Sequence, residues 1–409
     1  MLRLSAHANS EAEDGAIEGG RVEGAIVGGG IIAVTHADAD IDGFVAAVKR
    51  AAGADEFSVL LLFFSPEMPA EPLAAAFRRA FTIPVQVGCS TAGEIGPFGM
   101  TEGGAVALLF PADSFQCVAG LVTEISQHGF ERGIACARVL TERLAEMAGG
   151  EVEPAAFALT FIDGLSNCEE LMVSAFQVGL REIPHVGGSA GDGLAFRETF
   201  LIHNGIAYRD AALLCLFHSR LPFKIFKTDH YEPTDVRLVV TACDQERRVV
   251  TQINGISAME EYALVTGLDA AALSTMSFAS HPLMVKVGGD YFCRSIRRVE
   301  PEGLSFFCAI DNGVVLTLAR RLDMAESIAQ ALAQLEAQLG GIDVVLGFDC
   351  ILRRVEAENR QLGHRIAALY RHYNVVGFNT YGEQYRSMHI NQTFTGIAFG
   401  RAERARRAS

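Results

Sequence analysis

The sequence predicts a mixed α/β fold: repeated strand–helix–strand–strand units that form mixed sheets covered by helices. Two observations carry this. A glycine phrase occurs three times, as Gly-Cys-Ser-Thr-Ala-Gly-Glu at Gly88–Glu94, as Gly-Phe-Asn-Thr-Tyr-Gly-Glu at Gly377–Glu383, and one residue shorter as Gly-Gly-Ser-Ala-Gly-Asp at Gly187–Asp192. Before each copy stand an apolar run, a stretch of helical periodicity and a second apolar run. Two such sheets could stack in four layers, αββα, or extend side by side, and the sequence leaves both open.

Residues 1–24 are acidic and polar and read as a disordered tail. Ile31–Thr35 is a short β-branched strand, and Ile41–Ala52 a helix with Phe44, Val45 and Val48 on one face. The first unit continues with the strand Phe57–Phe64, the helix Glu71–Phe81 and the strand Val85–Val87, which runs into the first phrase. Ala105–Phe110 and Phe115–Val122 read as a hairpin over Pro111-Ala112-Asp113, and the helix Phe130–Met147 closes the unit. The second unit has the strand Phe157–Ile162, a helix Cys168–Arg181 capped by Asn167, and the strands Thr199–His203, Ile206–Tyr208 and Ala211–Phe217, with Asn204-Gly205 as a turn. The third has the strand Val344–Cys350, one helix over Val355–Tyr373, Val375-Val376 leading into the last phrase, and the strand Thr393–Phe399. Between units two and three lies a different segment, about 221–340. It carries the short strands Arg237–Cys243, Val249–Ile253, Leu283–Val287, Leu304–Ile310 and Val314–Leu318 and a helix near Met324–Leu339.

The formal charge of −15 argues against nucleic acid or an anionic membrane as the main partner, because both repel an acidic surface. No apolar run reaches the roughly 18 residues that span a bilayer, and the start lacks a signal-peptide pattern, so the expected location is the cytoplasm. The nine cysteines are scattered and never spaced Cys-x-x-Cys, which argues against a zinc ribbon, an iron–sulfur site and covalent haem attachment. Reduced thiols are expected.

Glycines in the phrase permit close backbone approach, and the plain reading is a structural turn repeated by duplication. Gly187–Gly191 matches a Gly-x-Ser-x-Gly nucleophile elbow, but an elbow needs a helix after the serine, and a polar loop and a strand follow here. An enzyme using Ser189 or Cys89 is therefore not expected. A haem needs one axial imidazole in an apolar pocket and cations for its propionates. His281, followed by Pro282 and by Arg294 and Arg297, is the first candidate, then His230 and His185, each also readable as a hydrogen-bonded structural histidine. Tyr381, Glu383, Gln384, Tyr385, His389, Asn391, Gln392 and Thr393 crowd into 381–393. Such uncharged donors and acceptors mixed with aromatics suit a small-molecule pocket or an interface, with Tyr381, Glu383, His389 and Asn391 as lining, unless the segment is a solvated hairpin.

Val87–Ile95, Gly187–Asp192, His281–Leu283 with Arg294–Ile296, and Asn374–Gly396 together resemble the FIST family over about residues 30–400. The resemblance implies an intracellular sensory protein with an N-terminal domain at 25–220, a C-terminal domain at 221–400 and a tail at 401–409. A subset resembles the chain more closely in Phe226–Thr234, His-Pro-Leu and Asp349–Arg353. These are bacterial haem proteins that sense nitric oxide and regulate a partner histidine kinase or cyclic-di-GMP enzyme. It implies haem b as cofactor, leaves a homo-oligomer open and does not say which histidine binds iron. The alternative is a FIST module that binds a small metabolite, such as an amino acid, without haem.

Overall fold

The computed structural model describes residues 24–97 and 99–401. The expected tails at 1–24 and 401–409 lie outside the described residues, apart from Gly24 and Arg401.

Three units with one common order make up the frame. In the first, strand Ile31–His36, helix Ile41–Ala52, strand Phe57–Phe64, helix Ala70–Ala80 and strand Val85–Ser90 lead into the phrase. A short hairpin (Glu94–Gly96, Gly99–Thr101) and the strand Ala105–Pro111 complete it. The second runs Phe115–Thr123, helix Ile125–Ala148, Ala156–Ile162, helix Glu169–Leu180, His185–Ser189, hairpin Leu201–His203 and Ile206–Tyr208, and Ala211–Ser219. The third runs Phe223–Thr228, helix Met324–Leu339, Ile342–Cys350, helices Ile351–Asn359 and Gly363–His372, Val375–Thr380, hairpin Glu383–Tyr385 and Met388–Ile390, and Phe394–Gly400. In every unit the strands before and after the second helix pair in parallel, and the last strand lies antiparallel between the first and the middle one.

Each hairpin leaves its own sheet. The one after the first phrase joins the third unit's sheet through Gly377↔Ile95. The one after the second joins the first sheet through Leu201↔Cys89. The one after the third joins the second sheet through Gly188↔Glu383. The three units are thus interlocked in a cycle.

Alternation along the strands explains the packing. Val59, Leu61 and Phe63 face an inner core, while Leu60, Leu62 and Phe64 face the helices Ile41–Ala52 and Ala70–Ala80. The inner core draws on all three sheets, and each unit keeps a separate outer core under its own helices. Phe63, Phe161 and Phe348 occupy the same position in the three units, with rings 5.6 Å (63–161) and 6.1 Å (161–348) apart, and Phe378 packs among them. Three sheets around one core is neither of the two arrangements that the sequence left open.

Several local expectations are corrected. Ala105–Pro111 and Phe115–Thr123 are not a hairpin. The first pairs with Phe57–Phe64 in the first sheet and the second with Ala211–Ser219 in the second, so Pro111–Ser114 is the crossing between units. The strand Phe115–Thr123 and the helix after it therefore open the second unit instead of closing the first. The helix expected over Val355–Tyr373 is two helices, broken where Gln361 takes a φ of 56°. Asn167 does not cap; it has a φ of 57°, and Cys168 precedes the helix with no side-chain cap. Glu383–Ile390 is no solvated hairpin, since Glu383, Gln384, His389 and Ile390 are buried and only its turn faces solvent.

The different middle segment is an insertion into the third unit between Thr228 and Met324. Its eight-stranded sheet, including Tyr231–Asp244, Leu283–Val287 and Val315–Arg321, has its own core with helices Ala258–Thr266 and Thr275–Ser280. Among the described residues, no helix is long and apolar enough to cross a membrane.

Candidate functional site

The three phrases meet at the carboxyl ends of the parallel strands, where α/β sheets commonly present ligands. Their first glycines share one cause. A Cβ at Gly88, Gly187 or Gly377 would lie 2.0, 1.9 or 1.8 Å from the carbonyl oxygen of Leu62, Thr160 or Gly347 on the neighbouring strand. Backbone bonds then tie the copies to one another. Gly191 donates to the Ser90 carbonyl (3.1 Å), Ala92 to that of Asn379 (2.9 Å), and Ser189 to that of Gly382 (2.8 Å).

The acids that end the phrases fasten turns. Glu94 accepts from the Thr91 hydroxyl (2.6 Å) and the Gly104 amide (3.2 Å). Glu383 accepts from the Thr380 hydroxyl and from the amide (3.2 Å) and hydroxyl (2.7 Å) of Thr393. Burial pushes Glu94 up to about 7 and Glu383 up to about 8. Asp192 gathers the amides of Phe196 (2.8 Å), Arg197 (2.7 Å) and Glu198 (3.0 Å), together with the Tyr381 hydroxyl. This grip holds Phe196 at a φ of 52°, a conformation bulky residues avoid.

Above the junction sits the insertion. Arg248 clamps it to the second unit by donating to Glu169 (2.9 Å), Glu170 (2.6 Å) and the Asn167 carbonyl (2.7 Å), and it ties the insertion internally by donating to the Phe307 carbonyl (2.5 Å). Arg294 donates to the His389 carbonyl (3.1 Å). Between the insertion and the phrases, Phe196, Phe307 and Tyr381 form a ring of aromatics with centroids 4.8 to 6.0 Å apart. The Arg297 guanidinium lies 4.9 Å over Phe196. It makes no ion pair or hydrogen bond among the described residues, and burial lowers its pKa.

Beside this ring is a buried polar centre whose atoms are only half satisfied. The Gln384 amide nitrogen donates to Ser189 Oγ (2.9 Å), that of Asn391 to the Tyr381 carbonyl (3.3 Å), and that of Gln392 to the Phe278 carbonyl (3.2 Å). The three amide oxygens are left without a donor, as are Ser295 Oγ and His389 Nε2 without any partner. Burial holds His389 at about 4, neutral at pH 7. Buried polar groups are almost always paired, so such a cluster is suited to hold ordered water or a small polar ligand.

Of the residues singled out from the sequence, Tyr381, His389 and Asn391 come together here, and Arg297 lies over Phe196, the ring beside Tyr381. Glu383 is adjacent but spent on its turn. His230 lies elsewhere, fully buried. Arg353, which can only donate, reaches its Nδ1 (2.7 Å), so Nε2 carries the proton and donates to Glu356 (2.9 Å). Arg353 also holds Asp349 (2.6 Å), which accepts from Tyr370 (2.7 Å), and Glu356 accepts from Tyr231 (2.7 Å). Neither nitrogen of His230 is open to iron. His185 is completely buried, partnerless on both nitrogens and held at about 4 by burial. His281 is half-buried at the end of the helix Thr275–Ser280; its Nδ1 bonds the Ser277 carbonyl (3.3 Å), which leaves Nε2 outward.

His281 alone has the stance of an axial ligand. Of the expected propionate partners, Arg294 is committed to a backbone carbonyl, while Arg297 lies unpaired over Phe196. The nearby centre offers amides and hydroxyls where a porphyrin needs apolar walls. The described residues thus offer one axial candidate, His281, without a pair of free propionate cations beside it. Reading the sequence missed Arg248, Glu169, Glu170, Phe196, Phe307 and Ser295. They come from segments remote in the chain; only Ser295 falls within a family motif, Arg294–Ile296, and no local pattern assigns any of them a role.

Fold and site define a three-unit α/β binding module with an enclosed polar centre. The FIST N domain family matches residues 58–256, and the FIST C domain family matches residues 258–386. The chain belongs to the FIST family, whose domains are sensory, ligand-binding signalling modules. A Methanocaldococcus jannaschii protein, MJ1623, is 24% identical over 252 residues, covering 53% of this chain and 49% of its own, so the chain spans about half the length of that relative. Among solved structures, a cyanuric acid hydrolase from A. caulinodans is 9% identical with a TM-score of 0.39, over 90% of this chain and 99% of that one. A chorismatase is 10% identical with a TM-score of 0.32, over 84% and 94%. Both likenesses are too slight to carry an argument about function.

Proposed function

We propose that the chain senses a small zwitterionic metabolite of the amino-acid type and passes its occupancy to a separate partner protein. The observation that carries this reading is the pairing of opposite needs at the centre. Three buried amide oxygens, on Gln384, Asn391 and Gln392, lack donors, and one guanidinium, Arg297, lacks a carboxylate. An ammonium group supplies donors and a carboxylate answers the guanidinium, while the aromatics Phe196, Phe307 and Tyr381 take an apolar side chain.

The role is binding, not catalysis. Ser189 Oγ accepts from an amide nitrogen, which cannot take its proton, and burial raises the Cys89 thiol well above its ordinary range. The acidic surface and nine free cysteines support a cytoplasmic setting. The test is a thermal-shift screen of the purified chain against the free L-amino acids. A ligand at about 100 times its Kd adds about 2.7 kcal/mol, a shift of several degrees for one member of the panel. No shift with any of them at millimolar concentration overturns the reading.

A second reading, a haem b sensor of nitric oxide acting on a histidine kinase or cyclic-di-GMP enzyme, rests on the outward Nε2 of His281. Hemin titration decides it. A Soret band that shifts with nitric oxide and is lost in His281→Ala supports it, and protein that stays colourless removes it.

A further inference from the structure

A sensory module needs an output surface, and one groove stands apart from the polar centre. It has a volume of about 700 Å³ and lies at the seam between the second and third sheets. Arg181, Lys224 and Arg386 line it, against a single acid, Glu182. All three cations are exposed, and none forms an ion pair among the described residues. On a chain of net charge −15 this is a local reversal of sign.

One wall is the strand Phe223–Thr228, the edge of the third sheet, bonded on one side to Phe394–Gly400. Phe223, Lys224 and Ile225 all line the groove. Neighbouring side chains in a strand point to opposite faces, so the groove runs along the strand's edge and not over one face. An open edge presents unpaired amides and carbonyls at strand spacing. The fold itself shows the remedy. The corresponding edge of the first unit, Ile31–His36, is covered by an added antiparallel strand, Gly24–Gly28.

The geometry points to this groove as a docking site for an extended acidic segment of a partner protein, added as an antiparallel strand to Phe223–Thr228. Main-chain bonds supply affinity, and alternate acids meet Arg181, Lys224 and Arg386 while the residues between them rest on Phe223, Ile225 and Ile183. The site stands independently of the ligand reading, since it needs nothing at the polar centre. The two are nonetheless joined. The hairpin Glu383–Ile390 carries Gln384 and His389 in the centre and Arg386 and Ser387 in the groove.

The test is fluorescence anisotropy of the whole chain with a fluorescein-labelled Glu-Val-Glu-Val-Glu peptide at low salt. The acidic peptide binds and a Lys-Val-Lys-Val-Lys peptide does not. Lys224→Glu with Arg386→Glu weakens binding at least tenfold with an unchanged melting temperature, because both side chains are exposed. Methylating alternate amide nitrogens of the peptide, in the two possible phases, abolishes binding in one phase. Equal binding of both methylated peptides shows attraction of charge without strand addition and overturns the proposal. Displacement of the peptide by inorganic phosphate at equal concentration indicates a small-anion site and also overturns it, as does failure of the acidic peptide to bind.

Discussion

Single side chains and single glycines show why the phrase recurs. At Gly88, Gly187 and Gly377 the obstacle to a Cβ is a backbone carbonyl on the adjacent parallel strand, and a carbonyl in a sheet cannot step aside. Gly187→Ala is therefore expected to destabilise the protein by about 3 kcal/mol or more, measured by urea unfolding, whereas Gly193→Ala, with open space around it, costs far less despite its φ of 70°. The acid at the end of the phrase yields a pH dependence. Glu383 is raised to about 8 by burial, so the folded state holds a proton that the unfolded state releases near 4.5. Stability from this group is present below about 4.5 and is lost as the pH rises towards 8, on the order of a few kcal/mol. Glu383→Gln removes that decline, and melting curves of the two proteins from pH 5 to 9 should diverge steadily. Parallel curves would show that Glu383 is ionised throughout. His185 and His389 act in the opposite sense, since burial holds them near 4, and their share of stability is lost as the pH falls from about 6.5 towards 4.

At the scale of elements, periodicity made most helices and strands legible. Ile41–Ala52, Phe57–Phe64, Val249–Ile253 and Met324–Leu339 lie where alternation or helical spacing placed them. Turn chemistry was legible too, since Asn204 and Gly205 both take positive φ between the paired strands. What could not be read was which strand pairs with which. Pro111-Ala112-Asp113 has the composition of a hairpin turn, yet the strands on either side belong to different sheets, because their partners are set by contacts far along the chain. The break near Gln361 was not legible because the helix was read from the spacing of Leu362, Ile366 and Leu369, all of which lie beyond it. A glutamine at a φ of 56° is strained. Gln361→Gly should stabilise the protein by about 1 kcal/mol in chemical denaturation. A loss of stability would mean that the Gln361 side chain carries an interaction that offsets the strain.

For the whole molecule, the exchange of hairpins decides how the chain behaves. The second sheet is completed by Glu383–Ile390 and the third by Glu94–Thr101, so neither half of the chain contains a finished set of sheets. Expressed separately, 24–220 and 221–401 should each give broad, weakly cooperative unfolding, and mixing them should restore one sharp transition. Independent sharp transitions of the halves would contradict the interlocked arrangement. The same interlocking explains how much of the site was legible. The crowding of Tyr381, His389 and Asn391 pointed to one wall, because those residues are close in the chain. The opposing wall comes from Arg248, Ser295, Arg297 and Phe307 in the insertion and from Glu169, Glu170 and Phe196 in the second unit, and only the fold brings them to it.

The central claim is that the polar centre beneath the insertion binds a small zwitterion through Arg297. Isothermal titration of the whole chain with the amino acid that gives the largest thermal shift tests it most directly, with Arg297→Leu and an exposed control, Arg298→Leu, alongside. A carboxylate on a guanidinium contributes about 1.5–3 kcal/mol, so Arg297→Leu should weaken binding roughly 10- to 150-fold, while Arg298→Leu binds like the parent. Equal affinity of the Arg297→Leu protein, with its melting temperature unchanged, would contradict the account.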